Sequence, residues 1–334
     1  YNTFYGYVTA FTYLHCVESQ QLELEKVKGE IVLRMDCGKL LYSRIPTLYT
    51  VCLGMTGTLD CLSEVQNDLL TQFGFNLRTR IPSTFKRGVL NEKENADDVR
   101  TIVEVGSYNE YFETLKREIE SQVVRGRATL VVFKDESQLE RFEKEIKLRQ
   151  PNLKQYQTPK VLSDRLSSSE RDYVVIQAIR RFATTFMTRS YGRGTDFVCR
   201  DEGLVKNHGV HLIVTFYPQD ESENKQINGR TCRQDNPGSA RKILFEDDLK
   251  YLEATENDMA STGLSWDEYL SRRRMAKEAD RYKSMEKSEK RNARTHSKTL
   301  EAYEAVKNGN WDVAAVLIQQ LAEGIPEDED EDED

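Results

Sequence analysis

The sequence predicts an α/β fold, with a mostly parallel, doubly wound sheet followed by an α-helical C-terminal region. Three observations predict it. Between residues 100 and 246, short apolar runs of strand composition alternate with segments of helical period. The connections between them are short, as strands joined through crossover helices require. From Leu249 to Gln320 the strand-like runs cease, and the chain becomes helical in period and highly charged.

Taken in order, residues 1–58 hold an apolar stretch at "YVTAFTYLHCV", a polar helix-like segment, then "EIVLRMD" and "LYTVCLGMTGTL". The last reads as a short buried strand ending at a Gly/Thr turn. Residues 62–73 place Leu62, Val65, Leu69, Leu70 and Phe73 at helical spacing, and "FNLRTRIPS" reads as extended. Phe85 to Asp98 is polar and charged and suits an interdomain linker. "RTIVEV" then predicts a strand, and Asn109–Val123 a helix with Tyr111, Leu115, Ile119 and Val123 on one face. "ATLVVF" is a strand after the basic turn "VVRGR", and residues 136–148 are a helix led by the acidic "DES". Residues 173–182 suit a helix, and "TTFMT", "VHLIVTF" and "RKILFE" suit strands. "TLEAYEAVKNGNWDVAAVLIQQLAEG" reads as a helical hairpin broken at Asn308–Asn310, after a long helix whose Trp266, Tyr269, Met275, Tyr282 and Met285 make a thin apolar stripe.

The chain has 334 residues, 38% hydrophobic and 31% charged, which allows a real core beside much solvated surface. No run approaches the roughly 18 apolar residues of a membrane span. The N-terminus lacks the basic and apolar regions of a secretory signal, and it starts mid-pattern without Met, the expectation for a fragment or processed chain. Six cysteines (Cys16, Cys37, Cys52, Cys61, Cys199 and Cys232) lie without CxxC pairs and read as reduced thiols of an intracellular, cytoplasmic protein. The histidines do not combine with them at zinc-like spacing, so no metal site is expected; His208 and His211, at the start of a strand, read as structural.

The net charge of −8 equals the charge of the eight consecutive acidic residues 327–334. Residues 271–299, by contrast, carry eleven Lys/Arg against four Asp/Glu. The acidic run reads as a solubilising tail in preference to an autoinhibitory strip over the basic helix.

Two arginine-and-glycine clusters carry the chemistry. In "SYGRGTDF", Gly192 and Gly194 allow a tight turn and close approach to a phosphate, Arg193 offers a planar fork of donors to phosphate oxygens, and Asp196 can accept from a ribose hydroxyl or orient an arginine. In "QINGRTCRQDNPGS", Arg230 and Arg233 are three apart and would share one face if they open a helix, with Gln226 four residues before Arg230. Such arginines can neutralise charge on a transferred phosphoryl group. "GMTGTL" adds Thr56, Gly57 and Thr58, whose hydroxyls suit a relay of nucleotide state. Each motif alone has a bland reading: a glycine-rich turn, a solvated basic face, a capped strand end. Two clusters about one βα unit apart, each after an apolar run, match the phosphate-facing edge of a RecA-like ATPase lobe.

"LGMTGTL", "YGRGTDF", "GVHLIVT", "GRTCRQDNPGSA" and "FEDDL" together resemble, in order, the motor region of the SecA preprotein-translocase ATPases, over about Gly54 to Leu249. In detail the chain looks closer to divergent SecA-like proteins of eukaryotes than to the bacterial translocase. The resemblance implies a superfamily 2 helicase-type P-loop NTPase fold with ATP between two RecA-like lobes. Residues 1–80 would end the first lobe, 81–98 would be a linker, 99–248 the second lobe, 249–322 a scaffold-like helical region and 323–334 an acidic tail. It implies that Arg193, Arg230 and Arg233 face the phosphates, that Asp196, Gly192, Gly194 and Gln226 line the nucleotide, and that Thr56, Gly57 and Thr58 form the coupling motif.

The chain departs from the family at Asn228, where an arginine is expected, at Cys232, where a glycine is expected, and in "PQDESENKQ", which loses positive charge. It contains no GxxxxGK[ST] and no acidic magnesium-holding strand. ATP, with its Mg, would therefore need a first lobe supplied from outside this sequence. The leading expectation is a SecA-like motor fragment that moves or remodels polypeptide, with a polypeptide substrate or protein partner and peripheral membrane association allowed. A non-catalytic RecA-like scaffold is the alternative, favoured by the altered last motif. A nucleic-acid helicase lobe ranks lower, because no aromatic platform interleaves the basic residues.

Overall fold

The computed structural model describes residues 7–29, 42–82, 101–149, 158–192, 194–232 and 236–323. The "EIVLRMD" segment, the Phe85–Asp98 linker and the acidic run 327–334 lie outside the described residues. The chain forms two compact units, Leu53–Tyr282 and a second made of Tyr1–Cys52 with Lys283–Asp334.

The first of these units is built on six strands: β1 (Ile102–Glu104), β2 (Ala128–Phe133), β3 (Lys160–Leu162), β4 (Thr184–Thr188), β5 (Val210–Val214) and β6 (Gly238–Phe245). Their order is β1-β6-β5-β2-β4-β3, and every pairing is parallel. Every residue of β2, β4 and β5 is buried, which is why these strands read as apolar or Thr-rich runs without alternation. Period two still sorts their side chains. Leu130 and Val132 join Leu212, Val214 and Met187 in one core, while Val131 and Phe133 join Phe186, Ile213 and Ile243 in the other.

Helices cover both faces. α4 (Tyr108–Val124) contributes Tyr111, Phe112, Leu115 and Ile119 to the second core, and α5 (Glu136–Arg149) contributes Leu139, Phe142 and Ile146. α6 (Ser168–Ala178), α7 (Glu202–Lys206) and α8 (Glu221–Asn228) cover the first core through Val174, Leu204 and Ile227. Ahead of the sheet lies α3 (Glu64–Gln72), opened by a reciprocal cap between Ser63 and Gln66. After β6 a 3₁₀ turn, Glu246–Leu252, leads to α9 (Glu256–Thr262) and the long α10 (Trp266–Lys307). Tyr269 and Leu270 of α10 pack with Leu244, Leu249 and Leu252 in a third cluster.

The expected class, parallel α/β followed by a helical region, is what the structure has. Several boundaries differ. The helix expected at 173–182 begins at Ser168, because Ser167 caps it and Glu170 closes the reciprocal bond to the cap. β3, α7 and α8 were not anticipated. The strand expected in "LYTVCLGMTGTL" is absent: Val51, Leu53 and Met55 are 74%, 91% and 99% exposed. A strand is stable only when paired, and no described strand lies beside this segment. Met275 and Met285, read as part of an apolar stripe, are exposed.

In the other unit, α1 (Tyr7–Glu18) and α2 (Leu24–Val27) accompany the C-terminal part of α10 and α11 (Trp311–Glu323). The predicted break falls where expected. Gly309 takes φ +74°, and the Asn310 amide donates to Ala305 O at 2.9 Å, closing the helix. Ala302 and Ala305 of α10 and Ala314 of α11 are buried.

Candidate functional site

The site is organised around α8, a two-turn helix. Asp220 caps it by accepting from the Glu223 amide at 2.7 Å. Glu223 is 3% exposed, and its Oε1 accepts from Arg189 Nε at 3.0 Å and Nη2 at 2.7 Å. Arg189 directly follows β4, so this charge-assisted pair fixes the start of α8 to the carboxyl end of that strand. Arg274 of α10, itself buried, bonds Glu221 in the first turn.

Along one side of α8 runs a chain of polar groups. Gln226 Nε2 donates to Ser222 Oγ at 3.3 Å, and Ser222 Oγ donates to Thr58 Oγ1 at 2.8 Å. Thr58 Oγ1 lies 3.1 Å from Thr56 Oγ1, which also accepts from the Thr58 amide at 3.2 Å. Thr58 is buried, whereas Thr56 and Gly57 are exposed. Two motifs more than 160 residues apart in sequence, "GMTGT" and α8, are thus joined through Ser222.

At its far end α8 meets the first arginine-glycine cluster. Arg230 Nε donates to Gly192 O at 2.9 Å, and Arg230 Nη1 donates to Thr195 O. Gly192 is buried against Ile227: a Cβ there would lie 2.8 Å from Ile227 Cγ1, so only glycine permits this approach. Gly194, exposed, takes φ +73°. The two clusters are therefore brought together, with Arg230 strapping the Gly192–Thr195 loop.

The geometry corrects one expectation. Arg230 does not open a helix; α8 ends at Asn228, and Arg230 follows it on the way into β6. The second cluster precedes β6 rather than following a strand's carboxyl end, because α8 runs first and β6 starts at Gly238. Thr231 marks this turn: its Oγ1 donates to Val210 O at 2.6 Å, at the beginning of β5. Arg193 and Arg233 lie outside the described residues. Asp196 is exposed and lines an open cleft of about 850 Å³ with Val198, Arg200 and the C-terminal end of α6.

Cys232, at the position where a glycine was expected, takes φ +53°. Burial pushes its thiol up from the ordinary 9.0, against a hydrogen bond from Thr231 and the charge of Arg127. The Asn228 side chain donates to Asn224 Oδ1 at 3.5 Å, and its carbonyl accepts from the Thr231 amide at 3.2 Å. Sequence reasoning missed Ser222, Glu223 and Arg189. A signal for the helix was present: Asp220 three residues before Glu223 is a helix-start pattern.

For an ATP held elsewhere, the described residues fit in part. They offer a glycine-tight loop fixed by Arg230 and a half-buried Gln226 amide on α8.

No family model matches the chain. Curated relatives are SecA protein translocase subunits. The protein from Chromohalobacter salexigens is 28% identical over 67% of this chain and 26% of its own length. That from Halothermothrix orenii is 25% identical over 65% and 24%, and that from Nitratidesulfovibrio vulgaris 40% identical over 24% and 9%. The matched part thus spans about a quarter or less of these relatives. Among solved structures, the E. coli DEAD-box protein SrmB bound to RraA aligns at 15% identity and TM-score 0.35 over 46% of this chain and 82% of that one. The DEAD-box helicase Mss116 bound to single-stranded RNA and UDP-BeF aligns at 13% and 0.38 over 57% and 36%. These scores add nothing to what the sheet order already establishes. By sequence, this chain is similar to SecA translocase subunits over as much as two thirds of its length.

Proposed function

We propose that this chain is the second-lobe part of a SecA-like ATP-driven motor that translocates or remodels polypeptide. ATP, with its Mg, is held mainly by a P-loop lobe outside this sequence, and this chain supplies Arg193, Arg230 and Arg233 to the phosphates. Asp196, Gly192, Gly194 and Gln226 line the nucleotide side, and Thr56, Gly57 and Thr58 form the coupling motif. In this reading residues 1–80 end a first lobe, 81–98 link it to the second lobe at 99–248, and 249–322 act as a scaffold that senses lobe closure. The observation that supports the reading best is the polar chain Gln226–Ser222–Thr58–Thr56 on the helix that leads to Arg230. A change in where α8 sits would be felt at Thr56 through short hydroxyl contacts. The exposed apolar run Val51, Leu53 and Met55 supports it too, since it has the composition of a strand awaiting a sheet.

A second reading has its own supporting observation. Arg230 is engaged with the carbonyls of Gly192 and Thr195, and Asn228 and Cys232 depart from the family pattern, as in a scaffold that keeps the fold without turnover. One experiment separates them. ATP hydrolysis is measured for the chain joined to a GxxxxGK[ST]-bearing lobe, in wild type, in Arg230→Ala with Arg233→Ala, and in Ser222→Ala. The motor reading expects the double variant to lose about 10³-fold or more in rate. It expects Ser222→Ala to keep hydrolysis but lose its stimulation by polypeptide. An unchanged rate in the double variant contradicts it and leaves the scaffold.

A further inference from the structure

We propose that the cleft between the C-terminal end of α6 and the extended segment 196–201 is a docking site for an acidic polypeptide segment bearing aliphatic side chains. Its floor is aliphatic, made by Val175, Ile176 and Ile179 of α6 and its end, with Val198 opposite. Ile176 is 58% exposed, an unusual degree for a residue facing a concave surface, and Tyr173 beside it is exposed too. Arg180 and Arg181 stand on one wall and Arg200 on the other. Arg180 and Arg200 make no ion pair among the described residues. Arg181 stacks on Phe182, its guanidinium 5.2 Å from the ring centre.

The C-terminal dipole of α6 favours cations at 180 and 181 but gives no reason for Arg200, which follows an extended segment. Of the two carboxylates at the cleft, Asp201 is spent capping α7, where its Oδ1 accepts from the Gly203 and Leu204 amides at 2.8 and 3.2 Å. The cleft is therefore cationic around an apolar floor. Its complement is a segment that offers carboxylates to three guanidiniums while burying one or two aliphatic side chains. A nucleic-acid strand suits it less well: the lining contains no aromatic face on which a base would stack. At about 850 Å³ the cleft holds a few residues of peptide, not a domain surface. Asp196, at one end, is the residue it shares with the proposed nucleotide side. The inference does not rest on the motor reading, since a scaffold would use the same cleft.

The test is fluorescence anisotropy of the full chain with a short labelled peptide that carries leucine and glutamate at helical spacing. Polyglutamate of equal length, an oligothymidylate and ATP serve as competitors. The wild-type chain is expected to bind the peptide saturably, with polyglutamate a weaker competitor. Arg180→Ala with Arg200→Ala should weaken binding by about tenfold or more, and Ile176→Asp by a similar factor. These residues are exposed, so thermal unfolding of the variants should match wild type. No saturable binding, or binding unchanged in both variants, overturns the proposal. Displacement of the peptide by oligothymidylate or by ATP also overturns it, and assigns the arginines to phosphate instead. Failure here leaves the hydrolysis experiment untouched, so the two readings fail separately.

Discussion

At the scale of single residues, Cys232 stands where the resemblance leads one to expect glycine. Its φ of +53° belongs to the left-handed region, where a side chain is strained and glycine is not. The glycine expected at this position from the family resemblance has a physical reason, therefore, and the cysteine tolerates strain next to Arg233. Replacing Cys232 by Gly is expected to raise stability by up to about 1 kcal/mol, after the added freedom of the unfolded chain is counted. Equilibrium denaturation measures it. A loss of similar size would mean that the half-buried thiol, with its contact to Thr231, contributes more than the strain costs. The identity of this residue was legible in the sequence as a departure; its backbone conformation was not, because φ is set by the turn that closes at Thr231 and Gly238. Likewise Gly192 was legible as a turn glycine, but the reason it must be glycine is Ile227, a contact between distant positions.

At the scale of elements, α4, β5 and β6 are tied by a buried polar cluster. Glu118 of α4 lies 3.1 Å from His211 Nε2 of β5 and 2.5 Å from Arg241 Nη1 of β6, while His211 Nδ1 lies 2.7 Å from Ser239 Oγ. Burial alone would raise the Glu118 carboxyl, but His211, Arg241 and Gln122 outweigh it and hold it at about 2, below the ordinary 4.5. A carboxyl depressed by folding stabilises fully above its unfolded value and ceases to do so as pH falls through its folded value. The contribution of Glu118 to the stability of the sheet unit should thus be complete above pH 4.5 and be lost between 4.5 and about 2. Glu118→Gln should flatten that acid limb and cost roughly 2–4 kcal/mol at neutral pH, because Arg241 and His211 lose the carboxylate charge they are packed against. Denaturant titrations across this range test both; an acid limb unchanged in the variant would exclude Glu118 as its source. His211 was readable as structural from its place at a strand start. Its partner was not, since Glu118 sits on the buried face of a helix read only for its apolar stripe. Ser167 with Glu170, and Asp220 with Glu223, are capping patterns that mark the starts of α6 and α8, whereas the apolar period alone places the first too late and does not show the second.

At the scale of the whole molecule, the parallel sheet was legible because its central strands are buried on both faces and leave continuous runs. The three-residue β3 carries too little pattern to be read. What the sequence order of the motifs could not convey is that α8 gathers them, with the "GMTGT" hydroxyls on its side and the "YGRGT" loop at its end. That arrangement depends on Ser222, an ordinary exposed-looking serine in an acidic stretch. The most direct measurement of the central claim is photo-crosslinking with an ATP analogue whose reactive group is on the γ-phosphate, on this chain joined to a P-loop lobe, with adducts mapped by mass spectrometry. The account predicts adducts within residues 189–196 and 226–233, lost when Arg230 and Arg233 are both replaced by Ala. Adducts confined to the P-loop lobe, with none on this chain while ATP is hydrolysed, would contradict it.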